Sequence, residues 1–186
     1  MPLFGRSLSA FAAGAALSFA ASRLMAPLAG RALGVARVAA GGDPFEALAR
    51  DHRIVLGMMD TVLQSDAQAR MRRTAGLLQI KRALTAHALA EEDVIYPMLR
   101  EEVGALEASD RLYREHAEIK IHLFNLEHLR PEEPRWQQEM QSLHDLVARH
   151  AADEENNEFP RLRERLSHEK IVQVSSDVSR EKQFVL

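Results

Sequence analysis

Two stretches of the chain repeat one pattern, His-x3-Glu-Glu-x3-aromatic-Pro, at His87–Pro97 (HALAEEDVIYP) and His150–Pro160 (HAADEENNEFP), 63 residues apart. A residue and its i+4 neighbour share one helix face about 6 Å apart along the axis. One helix can therefore offer a nitrogen and an oxygen ligand to the same cation, and two such arms imply a metal centre with pseudo-twofold symmetry. Two further histidines extend the repeat: His52 stands 35 residues before His87, and His116 stands 34 before His150. The candidate ligands are His52, His87, Glu91, His116, His150 and Glu154.

Each part has an ordinary alternative. A single histidine on an apolar stripe is more often a satisfied core residue, and a single i,i+4 His/Glu pair is usually a surface pair of small energy. The set as a whole is harder to explain that way. Carboxylates at core positions are costly unless paired or metal-bound, and no Lys or Arg shares the stripe of Glu91 or Glu154 nearby. A multivalent cation would satisfy all six groups at once. Glu92 and Glu155 border the same face, as direct ligands or as groups around them. Tyr96 and Phe159 read as packing residues, and Tyr113, one turn before His116, is placed to hydrogen-bond near the site. His122 and His144 lie six residues from His116 and His150, about 240° round the helix and off the face. They read as solvated or structural, as do His128 and His168 near helix ends.

The elements that must hold these groups are helical. Asp43-Pro44-Phe45-Glu46 has the form of a capping-box start. From there, apolar residues recur at helical spacing in four segments: Phe45 to Met59, Leu77 to Met98, Leu112 to Leu126 (with Ser109 as its expected cap) and Trp136 to Glu154 (started by Pro134). Breaks fall near Ser65-Asp66, Gly104 and Pro131–Pro134, and no stretch alternates with strand period. The expected fold is all-α, an antiparallel up-down-up-down four-helix bundle over residues 43–166. Pro97 and Pro160 should kink or stop helices two and four. A short helix or tail is expected over 167–186.

Composition agrees and narrows the chemistry. The 186 residues are 46% apolar and 27% charged, without cysteine, so thiolate sites and disulfides are excluded and His, Asp and Glu must hold any metal. That donor set suits iron, manganese or zinc. The net charge of −3 gives no argument for a nucleic-acid partner. Residues 1–42 carry four arginines and no acid, leaving −7 on the rest of the chain. Within them, Ser7–Ser22 is an apolar run between Arg6 and Arg23, shorter than the roughly 20 residues a spanning helix needs. A membrane-associated or protein-docking helix, an export signal and a helix packed on the domain are the three readings. Membrane association is the favoured placement, with periplasmic and cytoplasmic locations open.

Asp51-His52-Arg53, His87-x3-Glu91-Glu92-x3-Tyr96-Pro97, Glu115-His116 and His150-x3-Glu154-Glu155-x3-Phe159-Pro160 together resemble the hemerythrin-like family, the HHE cation-binding domain, over roughly residues 43–166. The resemblance implies a four-helix bundle holding two iron ions in a non-haem, carboxylate-bridged centre with positions open to O2 or a related small ligand such as NO. Departures from the oxygen carriers are specific: Lys120 stands where they have a second histidine on the third helix, and both Glu154 and Glu155 follow the last histidine. The pattern is similar to the four-His, two-Glu variant of bacterial members. Four histidines and two bridging carboxylates fill about eight of twelve positions on two six-coordinate irons, so the expected centre is open. Binding or sensing of O2, NO or iron is the leading function. An enzyme acting on peroxide or NO, or a metal-stabilised interaction module targeted by residues 1–42, are the alternatives. No general acid or substrate pocket is identifiable. The Glu-x-x-His signature of ferritin-like bundles is absent.

Overall fold

The computed structural model describes residues 42–185. Among them there is no strand. The helices are α1 (Pro44–Leu63), α2 (Arg70–Ala90), α3 (Leu106–His128), α4 (Pro134–Asp153) and α5 (His168–Gln183). The first four form the expected up-down-up-down bundle: α1 packs on α2 and α4, α3 packs on α4, and α2 meets α3 lightly. The fifth lies across α2 and touches α1. The apolar, basic segment before the bundle lies outside the described residues, whose helices include none long and apolar enough to cross a membrane.

Local sequence explains most boundaries. The Asp43 side chain accepts hydrogen bonds from the backbone N–H groups of Phe45 (2.8 Å) and Glu46 (3.4 Å), capping α1, an arrangement worth about 1 kcal/mol. Arg163 reaches the same carboxylate at 2.8 Å and ties the start of α1 to the end of the fourth helix. Pro134 opens α4, where its missing N–H costs nothing. Gly104, at φ 73°, takes the left-handed turn that ends the second helix. The α3 helix then starts at once, at Leu106, so Ser109 is not its cap. Ser109 is buried one turn inside, donating to the Tyr96 carbonyl (3.3 Å) and accepting from Arg100 (3.0 Å).

The two prolines do not stop their helices. The α2 helix runs on through a π segment, Glu91–Ile95, to a short α turn, Tyr96–Met98, and a second π segment, Leu99–Val103. The α4 helix continues through a π segment, Glu154–Glu158, to a final turn, Phe159–Arg163. The N–H of Tyr96 bonds to the carbonyl of Glu91, and that of Phe159 to Glu154, each five residues back. A proline ring clashes with the carbonyl four residues earlier. Widening the turn just before each proline lets the helix pass, and such widened turns recur at functional sites.

Two apolar cores flank a polar layer. One gathers Phe45, Leu48, Ile95, Leu99, Leu112, Phe159, Leu162, Val174 and Val178, so α5 completes it. The other gathers Val55, Met59, Ile80, Leu123, Trp136, Met140 and Leu143. At the far end of this second core, buried Arg73 donates to the carbonyls of Ser65 (2.9 Å) and Pro131 (2.7 Å) beneath Trp136, latching the α1–α2 and α3–α4 loops together. Between the cores lie His52, His87, Glu91, His116, His150 and Glu154, all buried.

Candidate metal centre

Each of the four bundle helices delivers one histidine to this layer, and the two helices bearing π segments also deliver a glutamate. All six residues proposed from the sequence come together. The imidazoles form two pairs by their Nε2 atoms: His52 with His87 at 2.8 Å, and His116 with His150 at 3.1 Å. Glu91 lies 3.0 Å from Nε2 of His87 and 3.4 Å from Nε2 of His116. Glu154 lies 3.3 Å from Nε2 of both His52 and His150. Each carboxylate therefore reaches both pairs, and Glu91 also lies 3.9 Å from Nε2 of His52. Ligand atoms of His52, Glu91, His150 and Glu154 all fall within 4.8 Å of one another.

The donor chemistry fits a multivalent cation. Both oxygens of Glu91 and one of Glu154 are fully buried and meet no polar group other than the imidazoles. An anionic oxygen removed from water without a donor costs several kcal/mol. The nearest nitrogens are inward-facing Nε2 atoms in close pairs, which cannot both carry a proton at these separations. A cation between the pairs would satisfy the carboxylate oxygens and the imidazole lone pairs together. The two His pairs, each shared by two carboxylates, repeat one donor set twice.

The outer edges of the imidazoles explain why the lone pairs face inward. Nδ1 of His52 meets Glu155 at 2.9 Å, that of His116 meets Glu92 at 2.9 Å, that of His150 meets Glu115 at 2.8 Å, and that of His87 meets Asp51 at 3.5 Å. A carboxylate requires a donor, so each Nδ1 carries the proton and fixes the ring's orientation, the usual arrangement behind a metal-binding histidine. Glu92 and Glu155 thus face the histidines from outside. Asp51 and Glu115 enter the sequence motifs as the residues preceding the lone histidines, at 51–52 and 115–116, but the sequence assigns them no role. Lys120, in the position where oxygen carriers have histidine, turns away to Glu92 at 2.7 Å.

Tyr96 corrects the packing-only expectation. Its buried hydroxyl donates to Glu154 at 2.8 Å and lies 3.0 Å from Nε2 of His116. The counterpart Phe159 has no hydroxyl and stacks on His52, ring centres 6.3 Å apart. Tyr113 donates to the Glu92 carbonyl at 2.7 Å and sets its ring edge-on to Tyr96. His122 pairs with Glu139, His144 with Asp60, and His128 with the Phe124 carbonyl, all away from the centre.

Electrostatics follow this geometry. Burial opposes a charged imidazole at His87, but Glu91, Asp51 and Glu154 outweigh it and hold the ring up to about 10. His116, also opposed by burial, is held up to about 9 by Glu91 and Glu92. Burial favours the neutral acid at Glu91, yet His87 and His116 keep it well below the usual carboxylate range. Burial, then Glu91 and Glu154, push the Tyr96 phenol well above its ordinary value. A cavity of about 130 Å³ between α2 and α3, lined mainly by Leu84, Ala88, Ile119, Leu123 and Val147, reaches His87 and His116.

Fold and site together define a helical-bundle cation-binding protein. The profile of the hemerythrin HHE cation-binding domain matches residues 37–162, and the chain belongs to that family. It is 32% identical over 127 residues to a DNA nickase of Nostoc sp., the match covering 68% of this chain and 35% of that protein. It is 26% identical over 104 residues to a hemerythrin-like protein of Schizosaccharomyces pombe, covering 55% and 51% of the two chains. The chain thus spans only part of either relative. Its fold resembles the crystal structure of a hemerythrin HHE cation-binding domain-containing protein from Mycobacterium kansasii, with a TM-score of 0.67, 19% identity, and coverage of 77% of this chain and 86% of that one.

Proposed function

We propose that this chain is a non-haem di-iron protein that binds or senses O2, NO or iron. The observation that carries the reading is the pair of buried carboxylates, Glu91 and Glu154, set between two close pairs of histidine Nε2 atoms with no Lys or Arg beside them. His52 and His87 would hold one ion, His116 and His150 the other, with Glu91 and Glu154 shared between them. Iron bound there would supply redox-active positions for a small exogenous ligand. The protein's own part is to keep every Nε2 lone pair directed inward, through Asp51, Glu92, Glu115 and Glu155, and to bury the centre between two apolar cores. The mostly apolar cavity between α2 and α3 that reaches His87 and His116 would admit a small ligand. The nicking activity in the name of the Nostoc relative is not part of this reading, because the match spans 35% of that protein.

The test is spectroscopic. After anaerobic loading with ferrous iron, O2 and NO are added separately and visible spectra recorded. The expected result is a new absorption band with at least one of them, lost in His87→Ala. Iron-loaded protein whose spectrum neither gas changes would overturn ligand binding.

A further inference from the structure

We infer that Lys182, on the C-terminal helix α5, is a positioning residue for the metal centre, acting on His87 through Asp51. This role rests on the metal-centre reading given above. Lys182 lies outside the family-matched region, which ends at residue 162.

Three observations carry it. The Lys182 ammonium donates to Oδ2 of Asp51, the same oxygen that faces Nδ1 of His87. One oxygen thus serves both, and the Asp51–His87 contact, at 3.5 Å, is the longest of the four carboxylate–imidazole contacts. The geometry is consistent with Lys182 drawing Asp51 outward. Second, the symmetry-related acid, Glu115, finds its cation within its own helix, where Arg111 lies 3.7 Å away one turn earlier. In α1 the position one turn before Asp51 is Ala47, so no such cation is available; α5 supplies it from 131 residues away. Third, Lys182 stands with Asp51 and His87 at a cleft of about 150 Å³ bordered by Ile54, Val55, Ala83 and Ala86, which would otherwise lead water to the outer edge of His87.

The α5 helix is anchored for this task by Val174 and Val178, buried in the core beside the centre. Its docking and the orientation of His87 are therefore linked: anything that lifts α5 frees Asp51, and anything that pulls His87 inward loads Asp51 and Lys182. A carboxylate that orients a metal-binding histidine typically changes metal affinity 10- to 100-fold when disturbed, and a residue fixing that carboxylate should act at the lower end.

The experiment uses the full chain, loaded anaerobically with ferrous iron, desalted, and mixed with excess ferrous chelator. Lys182→Met keeps the aliphatic stem and removes the charge; Lys182→Arg keeps the charge. The expected result is that part of the iron leaves Lys182→Met about 10-fold faster than wild type, with Lys182→Arg near wild type. Combining Lys182→Met with Asp51→Asn should be no faster than Asp51→Asn alone, because both act on one contact. Wild-type rates in Lys182→Met would overturn the role of Lys182 and leave the metal reading intact. Fast release from both Met and Arg variants would also overturn it, since packing of α5 would then be the cause. A wild-type chain that retains no iron would overturn the metal reading and this role with it.

Discussion

The α1–α2 and α3–α4 halves present the same inner groups to the polar layer and different outer ones. Inside, each half gives two histidines and one glutamate at matching positions. Outside, Asp51 meets His87 at 3.5 Å and leans on Lys182 of α5, whereas Glu115 meets His150 at 2.8 Å and leans on Arg111 of its own helix. Tyr96 sends a hydroxyl to Glu154; Phe159, in the same place, sends none. Under the proposed di-iron reading, a duplicated ligand set with unequal supports would make two ion positions that need not be equivalent.

The comparison can be broken most severely at the shared carboxylates. Glu91→Gln or Glu154→Gln removes a charge that reaches histidines of both halves. Iron retained after loading should fall from about two per chain to about one or less, a loss on the scale of direct ligand removal. Full loading in either variant, measured by elemental analysis, would show that the bridge assignment is wrong.

Outer acids should separate the halves. Glu115→Gln removes the short contact behind His150 and Asp51→Asn the long one behind His87. Both should weaken iron retention within the 10- to 100-fold range, with Glu115→Gln the larger, by chelator competition. Equal effects would mean that the difference in distance has no energetic content.

Removing the unequal hydroxyl sharpens the contrast. Tyr96→Phe makes the halves alike at this one position and leaves an oxygen of Glu154 without its donor, at a cost of about 1–3 kcal/mol in the metal-free protein. For a chain of this size each kcal/mol lowers the melting temperature by about 2–4 °C. An unchanged melting temperature would remove Tyr96 from the network.

The gentlest probe is pH. His87 and His116, held up to about 10 and about 9, contribute stability to the metal-free protein that is fully present below about 6.5 and is lost as pH rises through those values. Glu91, held low, contributes stability present above its ordinary value near 4.5 and lost only as pH falls through its depressed folded value. Thermal scans of metal-free protein from pH 6.5 to 10 should therefore show a falling midpoint. Metal loading must displace protons from the imidazoles, so loaded protein should not follow that fall. Parallel curves for the two forms would contradict the proton competition.

Much of this was legible because the pattern is local. His87/Glu91 and His150/Glu154 are i,i+4 pairs, and periodicity alone placed them on core stripes with His52 and His116. The bundle followed from the same stripes and from Asp43, Pro134 and Gly104. What sequence spacing could not give was contact between helices: Asp51 reaches forward to His87 on α2, and Glu155 reaches back to His52 on α1, pairings set by packing and not by spacing. Tyr96 was misjudged for a specific reason. On a regular α-helix a residue five places after Glu91 lies about 140° away from it, but the π turn brings it back over Glu91, with its N–H on the Glu91 carbonyl. The buried place of Ser109 also came from its neighbours, since Gly104 let α3 begin earlier than its periodicity implied.

The most direct test of the account is iron per chain, by elemental analysis after anaerobic ferrous loading and desalting. Two paired histidine sites sharing two carboxylates predict about two irons per chain. A value near zero, or zinc retained in its place, would contradict the di-iron centre.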